Sequence, residues 1–332
     1  MLVLGVESSC DDTAAAVLQD GRTILASLVS SQDQLHQPYG GVVPELASRQ
    51  HIRSILPIID SALKQAGITI ADIDGIAVTY GPGLVGSLLV GLCVVKGLSF
   101  RTGIPFVGVN HLEAHLLAIQ LEHEVAYPYI ALLASGGHTL LYCVRGIGDY
   151  VHLGGTRDDA AGEAYDKVAK MMGLGYPGGR AIDTLARSGN TNAIRFPRAK
   201  LKKSPYEFSF SGLKTAVWHH LKRLGEEQWK KQQADIAASF QEAVVDMLVE
   251  PTIKAAAAGG VNRIVLAGGV AANSRLRARM SERAAAAALK VFCPAPKFCT
   301  DNAAMIALTG YHWFERGRRD DFRLNADADL TL

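Results

Sequence analysis

Leu2-Val-Leu-Gly-Val-Glu-Ser-Ser-Cys-Asp-Asp-Thr-Ala-Ala-Ala-Val-Leu18 decides how the rest of this chain is read. Leu2–Glu7 is a short apolar run, Ser8–Asp12 a tight polar turn, and Thr13–Leu18 a second apolar run; the pattern predicts strand, turn, strand. Asp20-Gly21 then turns the chain into a third strand, Thr23–Ser30. The order returns at Tyr129. Tyr129–Ala134 reads as a strand, Ser135-Gly136-Gly137-His138 as a turn, Thr139–Val144 as a second strand and Val151–Thr156 as a third. A second feature also recurs. Ile73–Tyr80, Gly81-Pro82-Gly83 and the helical run Leu84–Phe100 form a strand, glycine turn and helix. Arg263–Ala267, Gly268-Gly269-Val270 and a helix through about Leu289 repeat it. Two matched features in one order indicate a divergent internal duplication of an α/β unit.

The remaining elements fill this frame. Pro44–Ala66 is a helix whose Leu46, Ile52, Ile55, Leu56 and Ile59 lie close to one face. That face is expected to pack on the sheet, with a docking surface as the second reading. Phe106–Val109 is a short strand, and a helix is expected from about Asp159. The stretch from Tyr176 to Gly212 reads as irregular, with helices over Gly212–Leu224 and Gln228–Ala258 and a last helix from Asn302 to about Phe314. The expected organisation is one half over residues 1–127 and a second over 128–332, with a helical and irregular insertion at about 176–258. A central cleft between two related halves is expected.

At 332 residues, 48% hydrophobic and 20% charged, the chain has the composition of a globular protein of two domains. A formal charge of +2 neither implies nor excludes a nucleic-acid partner, which would need a local basic patch. The five cysteines are scattered without a C-x-x-C pair, which argues against a disulfide framework and for a reducing cytoplasm. No signal peptide or membrane span is expected.

Several groups could carry chemistry. His111 and His115 sit at i and i+4, so on a helix both rings leave one face and can converge on one ion. This is not the zinc-protease pattern, because Leu112 follows the first histidine and Glu113 lies one residue on. Asp301, in Cys299-Thr300-Asp301-Asn302, is either the N-cap of the last helix or, beside two histidines, the third ligand of a facial N,N,O site. Ser8–Asp12 and Ser135–Thr139 offer small residues whose backbone N–H groups could hold phosphate oxygens. Asp159, Glu163 and Asp166 fall at i, i+4, i+7, so three carboxylates share a face, and Asp166 is a candidate partner for a ribose hydroxyl. Gly268-Gly269 opens a helix, and Asn273 can both donate and accept, or is a solvated first-turn residue. Arg195–Lys203 has five cations in nine residues around Phe196; it reads as a solvated loop or a contact for RNA phosphates.

These motifs, in this order, resemble the transferases that form threonylcarbamoyladenosine in tRNA, the bacterial TsaD family. The resemblance runs from Gly5-Val-Glu-Ser-Ser-Cys-Asp11 to Cys299-Thr-Asp-Asn-Ala-Ala-Met-Ile306. Between them lie Tyr39-Gly-Gly-Val-Val-Pro-Glu-Leu-Ala-Ser-Arg49, Gly81-Pro-Gly-Leu-Val-Gly86, His111-Leu-Glu-Ala-His115 and Ser135-Gly-Gly-His-Thr139. Asp158-Asp-Ala-Ala-Gly-Glu-Ala-Tyr-Asp-Lys167, Tyr176-Pro-Gly-Gly179, Phe208-Ser-Phe-Ser-Gly-Leu-Lys214 and Ala267-Gly-Gly-Val270 complete the set. The resemblance implies the actin/Hsp70/sugar-kinase (ASKHA) fold. It implies one divalent ion, iron or zinc, on His111, His115 and Asp301, and substrate contacts at Ala134, Ser135, Gly136, Gly137, His138, Asp166, Gly179, Asp183 and Asn273. The implied reaction moves a threonylcarbamoyl group from threonylcarbamoyl-adenylate to N6 of adenosine 37 in tRNAs reading codons that begin with A, with release of AMP. His138 is the candidate general base. The implied partners are tRNA, a shorter TsaB-like paralogue of the same fold, a TsaE-like ATPase and a separate synthase for the adenylate. Two departures from the bacterial pattern stand out: Arg180 follows Gly179 where proline is common, and Asn325–Leu332 lacks an Arg-Pro-Arg-Trp-like ending. The competing readings are a metallopeptidase and an actin-like ATP-binding module that regulates a partner.

Overall fold

The computed structural model describes residues 1–199, 201 and 205–332. The chain begins with β1 (Leu2–Glu7), β2 (Asp12–Gln19), β3 (Thr23–Ser31), α1 (Asp33–His36) and α2 (Pro44–Ala66). β4 (Gly75–Gly81), α3 (Val85–Thr102), β5 (Phe106–Asn110) and α4 (His111–Leu117) follow. Next come β6 (Tyr129–Ala134), β7 (Thr139–Gly146), β8 (Asp149–Gly155), α5 (Ala161–Met171), α6 (Gly178–Ala186), α7 (Ser211–Leu224), α8 (Glu226–Lys231) and α9 (Gln233–Ala258). β9 (Arg263–Ala267), α10 (Ser274–Ala286), β10 (Lys290–Phe292), α11 (Pro296–Cys299) and α12 (Ala303–Glu315) complete the chain. Two compact units result, Met1–Glu124 with Thr300–Leu332, and Val125–Cys299.

The first unit holds a five-stranded sheet in the order β3-β2-β1-β4-β5. β1 runs antiparallel to β2 and parallel to β4, with Val3 opposite Leu18 and Leu4 opposite Ile76. Its strands are apolar on both faces because both faces are covered. Leu4 and Val6 pack with Ile55 and Ile59 of α2, while Val3 packs with Met305, Ile306 and Leu308 of α12. The alternation is the period of two expected of a strand. On the α12 side the approach is very close. A Cβ on Gly5 would lie 2.2 Å from Ala303 O, and one on Gly310 would lie 2.3 Å from Ala77 Cβ.

α2 and α3 pack on the sheet and on each other, yet Ile52 (64% exposed), Leu56 (56%), Val85 (54%) and Leu89 (39%) remain outside. Thus the apolar face of α2 is wider than the part the sheet covers. α3 is long and apolar enough by composition to cross a membrane; here its Leu88, Leu92 and Val95 are buried beneath it in the unit's core.

The second unit repeats the topology. Read from the other edge, its sheet runs β8-β7-β6-β9-β10, again a hairpin trio followed by two parallel strands. The internal duplication expected from the sequence is therefore present strand for strand. α9 is apolar over most of its surface, with every residue from Ile236 to Val249 except Asp246 buried among β6, β9 and the neighbouring helices, as a central core helix must be.

Three differences from the sequence reading have local causes. Residues 300–332 belong with the first unit, because α12 closes the first sheet. The stretch expected to be irregular contains α6, whose glycines and Pro177 mask a helix that buries Ile182, Asp183 and Ala186. One long helix after Gln228 is instead α8 and α9, parted at Gln232. α1 and β10 carried too short a pattern to be seen in the sequence.

Candidate metal centre and ligand-binding elements

β5 ends at Asn110, whose Oδ1 accepts from the N–H groups of Leu112 (2.8 Å) and Glu113 (3.2 Å) and so caps α4. Such a cap contributes about 1 kcal/mol. It starts the helix so that His111 and His115 leave it one turn apart. Their rings stand at 88° with centroids 4.7 Å apart. Asp301 comes from the residues before α12. It is not the cap of that helix, because Asn302 Oδ1 takes that place by accepting from Met305 N–H at 3.0 Å. Asp301 Oδ1 lies 3.1 Å from His115 Nε2 and 3.5 Å from His111 Nε2. One ligand atom from each of the three falls within 4.8 Å of the others.

Around them lies a layer that sequence reasoning missed. Glu7, at the end of β1, is fully buried and its Oε2 meets His111 Nδ1 at 2.9 Å. Thr79 Oγ1 donates to the same oxygen at 2.7 Å, Ser9 N–H donates to Oε1, and Ser9 Oγ lies 3.2 Å from His111 Nδ1. Burial alone would push the His111 imidazole down. The carboxylates of Glu7 and Asp301 outweigh it and hold the ring well above its usual value. Burial would likewise raise Asp301, but His111 and His115 hold it far below the carboxylate range. His115 is pushed down, chiefly by burial. Glu113 turns away from the triad, and its Oε2 accepts from Trp313 Nε1 at 3.0 Å. The glutamate nearest the position of a peptidase base is thus engaged elsewhere.

The Ser8–Asp12 turn serves this layer through Ser8 and Ser9. Ser8 Oγ donates to Ser87 O, and Ser9 is spent on Glu7 and His111. His51 holds the turn to α2: its Nε2 lies 3.0 Å from Cys10 O and its Nδ1 2.8 Å from Thr13 Oγ1. A carbonyl can only accept, so Nε2 carries the proton. At the end of the turn, burial and then the charges of Asp301 and Asp11 raise the Asp12 carboxyl to about 8.

The folded protein therefore holds a proton on Asp12 that the unfolded chain releases near pH 4. Stability should fall as pH rises from about 4 to 8, by at most ~1.4 kcal/mol per pH unit. Asp12→Asn is expected to remove that slope and to be the more stable protein at pH 8.5 by roughly 1–3 kcal/mol. Urea unfolding at pH 5 and 8.5 checks it; equal gains at both would refute the assignment.

The second unit brings the other expected residues together. In the Ala134–His138 turn, Ser135 N–H donates to His138 O (2.8 Å) and His138 N–H to Ser135 Oγ (3.1 Å). Gly136 and Gly137 are exposed, with open space where a Cβ would stand. Gly268, at φ +83°, lies so close beneath that a Cβ would meet Ala134 O at 2.4 Å. Asp166 Oδ1 accepts from Gly178 N–H at 2.8 Å and fixes the N-terminus of α6, where Gly179 faces open space. Asp183 Oδ1 accepts from Ser274 Oγ at 2.7 Å at the start of α10. Asn273 is neither solvated nor uncommitted. It caps α10 through Leu276 N–H (2.9 Å) and donates to Gln241 Oε1 (2.7 Å).

Two further expectations change. Asp159 precedes α5, and Lys167 neutralises it and Glu163 (2.8 and 2.6 Å) while Lys214 also bonds Asp159, so the face is an ion-pair network. Asp158 accepts from Ser209 Oγ (2.6 Å) and Phe210 N–H (2.7 Å) ahead of α7; it does not start its own helix. In the basic run, Lys200, Lys202 and Lys203 lie outside the described residues. Phe196 is buried and Arg198 pairs with Asp246 at 3.1 Å, so neither is offered to RNA.

The family model described as tRNA N6-adenosine threonylcarbamoyltransferase (TsaD) matches residues 23–308. The chain belongs to that family. Proteins of that name from Geobacter sulfurreducens and an Anaeromyxobacter strain (Fw109-5) are each 55% identical to it; the alignments cover all of this chain and 97% and 100% of theirs. Among solved structures, full-length HypF in a phosphate- and nucleotide-bound form matches at TM-score 0.64 and 13% identity, over 95% of this chain and 56% of its own. The 2-hydroxyisocaproyl-CoA dehydratase activator of Clostridium difficile matches at 0.56 and 15%, over 96% and 97%. These likenesses show the fold, which is the ASKHA fold.

Within this TsaD-family chain the residues fit a divalent ion. Two imidazoles and one carboxylate form the donor set of zinc and of non-haem iron sites with open positions. His115 Nδ1 is buried without a hydrogen-bond partner among the described residues, so the triad carries an unsatisfied polar atom.

Proposed function

We propose that this chain transfers the threonylcarbamoyl group from threonylcarbamoyl-adenylate to N6 of adenosine 37 in tRNAs reading codons that begin with A, with release of AMP. The observation that carries the reading is the His111, His115 and Asp301 cluster in a chain of this family. An exocyclic adenine amine is a weak nucleophile, so the acyl carbon must be polarised and charge on its oxygen stabilised. A bound Fe²⁺ or Zn²⁺ supplies that as a Lewis acid with open positions. The chain's own residues do the rest. The exposed amides of Gly136 and Gly137 and the first turn of α6 at Gly179 suit phosphate oxygens. Asp166 and Asp183 suit hydroxyls of the ribose, with Asn273 and Gly268 shaping the floor beside them. His138, at the end of the glycine turn, remains the candidate to accept the amine proton.

The partners we infer are tRNA, a TsaB-like paralogue, a TsaE-like ATPase and a separate synthase for the adenylate. Support for the paralogue is the apolar face of Ile52, Leu56, Val85 and Leu89, the kind of surface that a protein partner covers. Five free cysteines suit a cytoplasmic setting.

Reconstitution tests the function: purified protein, synthetic threonylcarbamoyl-adenylate, unmodified tRNA and the accessory proteins, with nucleoside mass spectrometry. Modified adenosine is expected only when tRNA and adenylate are both present, and is lost with a chelator. Cleavage of protein substrates instead would establish the peptidase reading.

A further inference from the structure

We propose that Glu7 is the positioning residue that fixes the tautomer and ring orientation of His111 for metal binding, an inference that rests on the metal reading above. Glu7 ends an apolar strand and is fully buried, where a carboxylate is costly unless its lone pairs are used. Three donors converge on them. Oε1 takes the Ser9 N–H, and Oε2 takes the Thr79 hydroxyl at 2.7 Å and faces His111 Nδ1 at 2.9 Å. An ionised carboxylate only accepts, so Nδ1 carries the hydrogen. Nε2, which faces Asp301, is then the nitrogen that gives up its proton to a metal ion and ligates it. Histidines that bind metal generally donate their other ring N–H to a carboxylate or carbonyl, which fixes the tautomer and raises ligand basicity.

The two histidines differ in this respect. His115 Nδ1 has no such partner among the described residues, so His111 is the ring whose geometry is set in advance. Ser9 Oγ, at 3.2 Å from His111 Nδ1, is the longer of the two contacts and belongs to the same turn. It steadies the ring, while the carboxylate decides which nitrogen is protonated.

Glu7→Gln is nearly isosteric but must turn an NH₂ toward one of the three donors that now converge on the carboxylate. The test titrates Zn²⁺ against a chromogenic chelator in the full-length protein, in E7Q, in H111A and in the double variant. Zn²⁺ affinity is expected to fall about 10- to 100-fold in E7Q. It should fall no further in E7Q/H111A than in H111A, since Glu7 acts through that ring. Affinity in E7Q within threefold of the parent, or full additivity in the double variant, would overturn the proposal while leaving the metal reading intact. Equal Zn²⁺ binding by the parent and H111A would overturn the metal reading itself, and this assignment with it. A readout independent of variant folding is ¹⁵N NMR of histidine in the Zn²⁺-loaded parent. His111 Nδ1 should be protonated, and an unprotonated Nδ1 overturns the proposal.

Discussion

Asp301→Asn is expected to weaken Zn²⁺ binding by roughly 10²–10³-fold and to lower tRNA modification at limiting metal in step. That is about 3–4 kcal/mol, the expected loss when a partly buried three-donor site gives up its one anionic donor. The substitution is clean because Asp301 is not the cap of α12. Asn302 keeps that role, so the helix start should survive. Nucleotide binding is the internal control, since the residues proposed for it all lie in Val125–Cys299. Metal analysis of the purified variant and its affinity for AMP check both arms. A variant that keeps its metal, or loses AMP binding equally, would show that Asp301 is not a ligand.

Gly5→Ala should be among the most damaging single-methyl changes in the first unit. The added Cβ would lie 2.2 Å from Ala303 O and 2.7 Å from Ala307 N, both backbone atoms of α12. Neither can swing aside, so the helix itself must shift. Overpacking of this kind costs about 1–3 kcal/mol, and contact with backbone places it at the upper end. Because only the cap residue Asn302 separates Asp301 from α12, the same shift should also weaken metal binding. Gly97→Ala is the counterpart: Gly97 is an exposed position inside α3 with nothing within 4 Å of a new Cβ. It is expected to gain about 0.5–1 kcal/mol. Urea unfolding of both variants distinguishes a packing contact from a general cost of losing glycine, which would move both the same way.

The duplication and the histidine pair were legible in the sequence because each is carried by local pattern, whereas Asp301 entered the triad through the family resemblance. Apolar runs of strand length mark β1–β2 and β6–β7, and the i, i+4 spacing marks the histidines. Glu7 was not legible as part of the site. Its own context, a carboxylate closing an apolar strand, signals that something must satisfy it, but the partner is His111, 104 residues away. Spacing was also misleading where it counted charges alone. Asp159, Glu163 and Asp166 look like a bare acidic face until Lys167 and Lys214 are seen between them. Asp158 caps a helix some 50 residues further on, a pairing no window along the chain can contain. α6 was hidden because glycine and proline, which usually signal a break, here open a helix.

The discontinuous first unit has a consequence for how the protein is made. A ribosome releases His111 and His115 long before it reaches Asp301, with all of Val125–Cys299 in between. At about 5–20 residues per second that interval is on the order of ten to forty seconds. Throughout it the nascent chain has two histidine donors but no carboxylate, and β1 has no α12 to cover Val3. The donor set and the cover over that face of the sheet are completed by one late segment. The chain can acquire a three-donor site only after all of Val125–Cys299 has been made.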